Sequence, residues 1–366
     1  MTVYEKDLLA VLSEIRPLDE KAVKEATIRQ DNLAKPPQSL GKLETISIQI
    51  AGITGKVLNK IEKKRLIVMA ADNGVVEEGI SSSPQSVTLA QTINLTKGIT
   101  GASSMAKHFG NETRVYDVGV NAHISCPEVI DRKIAMGTKN LYREPAMTRE
   151  QAAQALMIGV DAAKDAYENG VHILGVGEMG IGNTTTSSAV LSVLIDMPAE
   201  VTTGRGGGIN DESFLRKKHI IDEAIAKHKP NREDIIDVLS KLGGFDLAAM
   251  TGVFLGAARY RIPVVIDGFI SIVAALCAAR LAPDAKGYMI PSHASYEKGY
   301  MVAADELGLS PYLLLNMRLG EGSGCPIAFE IVSAACAMMS GMATFAGADI
   351  NDDYLEEIRQ GNKFTP

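Results

Sequence analysis

Glu321 stands between two glycines in Arg318-Leu319-Gly320-Glu321-Gly322-Ser323-Gly324-Cys325-Pro326, at the end of an apolar run. Glycine on both sides lets the backbone carry this carboxylate deep into a crevice. A carboxylate held in such a crevice is suited to general-base work. A loop glutamate bonded to local N–H groups fits the same residues equally well. A second cluster, Gly204-Arg205-Gly206-Gly207-Gly208, either makes a turn or brings bare N–H groups up to an anion. Lys217 follows nine residues later in a helical stretch, as a phosphate partner or an ordinary solvated lysine.

Gly175-Val176-Gly177-Glu178-Met179-Gly180 has the GxGxxG spacing of a dinucleotide site, with Asp196 about 20 residues further on. Three features oppose that reading. The stretch before Asp196 keeps a helical pattern where a second strand should end. Glu178 would turn its charge on a pyrophosphate. The motif also runs on through Ile181-Gly182-Asn183-Thr184-Thr185-Thr186-Ser187-Ser188, a hydroxyl-rich row suited to capping a helix or binding a monophosphate or sugar. A nicotinamide-dependent dehydrogenase therefore stands as a minor alternative. His293 follows a strand-like run and can line a crevice, whereas the other histidines are isolated. The four cysteines form no CxxC, and HExxH, GxSxG and P-loop patterns are absent. No metal and no cofactor are expected.

Six short β-branched or apolar runs must position these residues: 65–74, 113–120, 171–180, 262–268, 286–293 and 312–322. Most stretches between them have helical periodicity, notably 148–170 and 246–260. Strands alternating with helices imply a mainly parallel Rossmann-like sheet flanked by helices, with ligands beyond the carboxyl ends of the strands. The first 58 residues read as helices broken at Pro36-Pro37. The segment 326–347 is apolar enough to test for a membrane span, but Glu330, two serines and many alanines favour a buried helix. The polar end, from 351, reads as a short helix with a tail. A 366-residue chain with 46% hydrophobic residues buries a large core. Its net charge of −7 argues against a general nucleic-acid binder. The acidic start is not expected to act as a signal peptide, so the expectation is a cytoplasmic protein.

The loops taken in order resemble one family. The matching stretches begin with Asp31-Asn-Leu-Ala-Lys-Pro-Pro-Gln-Ser-Leu-Gly-Lys-Leu-Glu44 and Ala71-Asp-Asn-Gly-Val-Val-Glu-Glu-Gly-Ile80, with Ser83-Pro84 and Val87-Thr88. They continue with Gly177-Glu-Met-Gly-Ile-Gly-Asn-Thr-Thr185, Gly204-Arg-Gly206, Asp267-Gly268-Phe269, Ser292-His-Ala-Ser295 and Leu319-Gly-Glu-Gly-Ser-Gly324. Each is weak alone, but the ordered set is specific and spans nearly the whole chain. It resembles the nicotinate-nucleotide–dimethylbenzimidazole phosphoribosyltransferases of cobalamin lower-ligand synthesis. Two positions depart from that family: Gln38, where glycine is usual, and Asn73, where histidine is common and where the base pocket is expected.

The resemblance implies a large parallel α/β domain (59–327) carrying the site, and a small helical domain from residues 1–58 and 328–366. It also implies a homodimer. The implied reaction moves the 5-phosphoribosyl group of nicotinate mononucleotide to 5,6-dimethylbenzimidazole, giving α-ribazole 5′-phosphate and nicotinate. By the same resemblance Glu321 is the base. Glu178, Gly180, Gly206, Gly207, Lys217 and Ser295 surround the nucleotide, and Ile80, Ser83, Gln91, Met179 and Leu319 border the aromatic base. The same chemistry on another azole, a purine or a phenol, and a catalytically silent binding protein, are the remaining alternatives.

Overall fold

The computed structural model describes residues 2–355. Its centre is a six-stranded sheet: β1 (Lys64–Ala71), β2 (Glu112–Gly119), β3 (Val129–Asp131), β4 (Ile173–Met179), β5 (Val264–Ile266) and β6 (Met289–Pro291). The spatial order is β3-β2-β1-β4-β5-β6, and every pairing is parallel. Five of the six expected runs are strands. The sixth, 312–322, is a loop that touches the sheet through a single bridge, Leu313 to His293. Positive φ at Asn316, Gly320, Glu321 and Gly322 prevents that run from extending along β6. The three-residue β3 was not expected, because so short an edge strand shows little periodicity.

The chain builds outward from β1 to β3, then returns to the centre and builds outward again from β4 to β6. The order therefore reverses between β1 and β4, and a crevice opens there beyond the strand ends. Helix Phe245–Arg259 covers one face of the sheet: a Cβ on Gly119 of β2 would meet the Phe245 ring at 2.6 Å. Helix Cys325–Gly341 covers the other, where a Cβ on Gly175 of β4 would meet Cys325 Cβ at 2.5 Å. Burial on both faces explains why β4 is apolar or glycine almost throughout. No helix among the described residues is long and apolar enough to cross a membrane.

Helices Glu20–Asn32 and Lys42–Thr54 pack with Cys325–Gly341 around Ala26, Leu33, Ala51 and Met339. Leu33 and Thr344 form an antiparallel bridge, and the Arg29 Nε–H donates to the Met339 carbonyl at 2.8 Å. Leu8, Val11, Ile46 and Ile50, from the N-terminal helices, belong to the main core. The polar C-terminal segment shows a single 3₁₀ turn at Asp353–Leu355; the rest of the expected tail lies outside the described residues.

Gln38 has φ +59°, in the left-handed region, within the turn that follows Pro36-Pro37. A non-glycine residue there costs roughly 1 kcal/mol. The departure from glycine is thus a conformational cost with no side-chain hydrogen bond to offset it. Gln38→Gly is expected to raise the denaturation free energy by roughly 0.5–1 kcal/mol with unchanged activity, read from urea midpoints.

Candidate active site

A cavity of about 260 Å³ opens at the carboxyl ends of β4, β5 and β6. One wall is the loop 318–321, facing the start of helix Asn183–Ile195; serines 81 and 83 and the Gly206-Gly207 turn line it as well. The backbone passes through three successive left-handed residues, with φ of +86° at Gly320, +63° at Glu321 and +85° at Gly322. A β-carbon is tolerated in that region at a cost, so the conformation persists only where its surroundings enforce it.

The enforcement comes from buried carboxylates. Glu178 Oε1 accepts the Glu321 N–H at 3.1 Å. Asp267 accepts the Gly322 N–H at 3.1 Å through Oδ2 and the Gly324 N–H at 2.7 Å through Oδ1. The Glu321 side chain in turn accepts the Ala102 N–H at 3.0 Å through Oε2. Glu321 itself is 6% exposed, on the cavity wall. Close packing against the sheet completes the hold: a Cβ on Gly177 would lie 2.3 Å from the Glu321 carbonyl oxygen. The GxGxxG spacing thus serves this loop rather than a dinucleotide. Asp196, at the other end of the would-be fingerprint, caps helix Asn183–Ile195 at the surface.

Behind Glu178 lies a second carboxyl. Asn183 Nδ2 donates to Glu178 Oε2 and, at 3.0 Å, to Asp246 Oδ2. Burial pushes the Glu178 carboxyl up to about 8, helped by the Asp246 charge and opposed by the Asn183 hydrogen bond. Burial likewise lifts Asp246 to about 6, against its hydrogen bonds. Near neutrality Glu178 therefore holds a proton, which is how two acids share one buried site. Burial also raises Asp267, with His293 pulling the other way. His293 is buried and bonded to Ser292 Oγ at 3.0 Å, so it supports the wall rather than the ligand space.

At the opposite end Lys217 is 1% exposed, and its Nζ donates to Thr184 Oγ1 at 2.7 Å. Burial pulls its ammonium down to about 8, with Glu297 opposing. Glu178, Gly180, Gly206, Gly207 and Ser295 line the cavity, as do Ser83, Gln91, Met179, Leu319 and Glu321. Lys217 sits directly behind, its Nζ 3.7 Å from where a Gly206 Cβ would be. Ile80 is packed into the core and does not line the cavity. Asn73 was expected near the base pocket, but it is fully buried one layer further back, against Gly182 and Asp246. It therefore cannot select the acceptor by direct contact. Sequence reasoning assigned no site role to Asp267, Glu297 or Arg318, all on the cavity wall, and took Asn183 only as part of a row suited to capping or to a monophosphate or sugar. Asp267-Gly268-Phe269 was visible as a motif, but an acid that binds backbone N–H groups more than 50 residues away leaves no local pattern.

The strand order and the cavity at its reversal define a doubly wound parallel α/β protein with its ligand site at the switch point. A model of the phosphoribosyltransferase family matches residues 15–350. A Clostridium perfringens protein (strain ATCC 13124) named nicotinate-nucleotide–dimethylbenzimidazole phosphoribosyltransferase is 56% identical over 349 residues, 95% of this chain and 97% of that one. A Clostridium tetani protein of the same name is 46% identical over 361 residues, 98% of this chain and 100% of that one. The crystal structure of CobT from Thermus thermophilus matches with a TM-score of 0.88 at 36% identity, over 91% of this chain and 99% of that one. The chain belongs to this phosphoribosyltransferase family.

The raised Glu178 carboxyl links stability to pH. A carboxyl held above its ordinary 4.5 stabilises the fold fully below that value, and the contribution is lost as pH rises through about 8. The unfolding free energy of the wild type, relative to Glu178→Gln, should fall between those limits and level off above them. Paired urea titrations across that range measure it, and a constant difference would show that Glu178 is ionised throughout.

Proposed function

We propose that the protein transfers the 5-phosphoribosyl group of nicotinate mononucleotide to 5,6-dimethylbenzimidazole, releasing nicotinate and α-ribazole 5′-phosphate, in cobalamin nucleotide-loop synthesis. The observation that carries this is Glu321: a buried carboxylate fixed on the cavity wall by three buried hydrogen-bonding contacts to its loop. Support also comes from the relatives' printed names and from the polar Lys217 end of the same cavity.

The chemistry needs little more than one base. The C1′–N bond of the substrate joins ribose to a pyridinium, so its electron pair returns to the ring nitrogen and nicotinate leaves without protonation. The azole attacks C1′ from the opposite face, which turns the β-linkage into α. As its nitrogen bonds to carbon, the azole ring N–H proton passes to the Glu321 carboxylate. Holding the two substrates in line supplies much of the remaining acceleration.

In this reading Gly206, Gly207 and Lys217 take the phosphate, with Ser295 nearby. Glu178 and Gly180 border the ribose. Ser83, Gln91, Met179 and Leu319 flank the flat base, and Ile80 backs them from the core. The reading extends to a cytoplasmic homodimer: Leu314 and Leu315, 82% and 49% exposed, offer apolar surface that a partner would cover. It also divides the chain into a large domain at 59–327 and a small helical one from residues 1–58 with the segment from 328. The separate Ala26–Leu33–Ala51–Met339 cluster supports that division.

Incubating the metal-chelated protein with both substrates and separating the products by chromatography and mass tests the reaction. Stoichiometric nicotinate and an α-linked ribotide are expected; no product with this acceptor or a panel of azoles and phenols would overturn it. Glu321→Gln keeps the shape and removes the base, so kcat should fall roughly 10²- to 10⁴-fold with KM largely kept.

A further inference from the structure

Glu297 lies on the cavity wall, and the transfer reaction as derived does not use it. It is only 9% exposed, and Oε2 has no hydrogen-bond partner. The Gly206 N–H of the glycine turn, the Lys217 ammonium of helix Asp211–His228 and the Arg318 guanidinium of the 312–322 loop all act on its charge, the two cations from beyond ion-pair distance. The turn is shaped around it, since a Cβ on Gly204 would come within 1.9 Å of Oε2. Neither cation is closed off by an ion pair among the described residues. The adjacent Lys298 is engaged elsewhere, with the Glu200 carbonyl and carboxylate.

A backbone N–H from a glycine turn, a buried ammonium and a free guanidinium are the donors that recognise a phosphate monoester. Here the charge they act on is a carboxylate of the protein. We propose that Glu297 occupies, from within the chain, the anion seat that the substrate's phosphate takes, so that phosphate enters only as this carboxylate withdraws or takes up a proton. The identity of the ligand rests on the phosphoribosyl-transfer reading; the competition does not. Two anions cannot share the seat without strong repulsion, so Glu297 lowers the affinity for phosphate. It also hastens departure of the phosphorylated product. Burial already favours the protonated form of Glu297, while Lys217 and Arg318 oppose it.

Inorganic phosphate is the probe, titrated into the full chain by calorimetry, with the KM for nicotinate mononucleotide as second readout. Glu297→Gln keeps the shape and removes the charge, and should lower the phosphate Kd and the nucleotide KM roughly tenfold. Glu297→Asp should stay closer to the wild type, and Lys217→Met should abolish phosphate binding. Thermal melts check folding, and Glu297→Ala is read the same way should the amide variant not fold. Unchanged or weaker phosphate binding in Glu297→Gln, with Lys217→Met still defective, overturns the competition but leaves the phosphate seat standing. Binding indifferent to Lys217→Met, or none in any variant, overturns the seat itself and with it the competition; product analysis then decides the reaction independently.

Discussion

Three consecutive left-handed residues, Gly320 to Gly322, are the constraint around which the site is organised. Such a turn does not form by propensity. It is held because Glu178 and Asp267, buried on adjacent strand ends, accept its backbone N–H groups. Glycine at 175 and 177 follows from the same requirement, since any side chain there would strike Cys325 or the Glu321 backbone. One face of β4 gives up its side chains to let a loop and a helix start lie directly on the sheet. The lost packing on that face is offset by Cys325 and Phe329, which fill the gap.

That arrangement also governs the charge balance. Glu178, Asp246 and Asp267 cluster behind the Glu321 loop, while Lys217 lies behind the glycine turn with Glu297 as its acidic neighbour. Asn183 offers both its N–H bonds to two carboxyls, and the proton kept by Glu178 spares the pair full repulsion. Among the described residues Lys217 has a hydroxyl, from Thr184, in hydrogen-bond contact and no ion pair.

Much of the architecture was legible because buried parallel strands write themselves as continuous apolar runs ending in glycine or acid. Residues 65–74 and 171–180 are such runs, and most of β1 and all of β4 fall inside them. The run 312–322 looked the same, yet its Leu314 and Leu315 face outward and its positive φ angles break the extension. Glu321 could be singled out because its flanking glycines are local. Asp267, Glu297 and Asn183 could not, because their roles depend on loops brought together only by the fold. Asn73 was misplaced by one layer for the same reason: spacing along a chain does not report depth behind a wall. Gln38 shows the reverse, a departure from the usual glycine whose cost appears only once its φ is known.

The stitch between Asn32–Ala34 and Ala343–Phe345 joins segments some 310 residues apart. Closing so long a loop is entropically demanding, and it cannot form before nearly the whole chain has left the ribosome. The Glu321 turn, too, comes after every strand that supports it. During synthesis the sheet can assemble from β1 outward while the N-terminal helices wait for their counterpart. The chain therefore completes the Glu321 turn and ties its ends together at almost the same moment, so a prematurely terminated product would hold a sheet without the loop that walls the cavity.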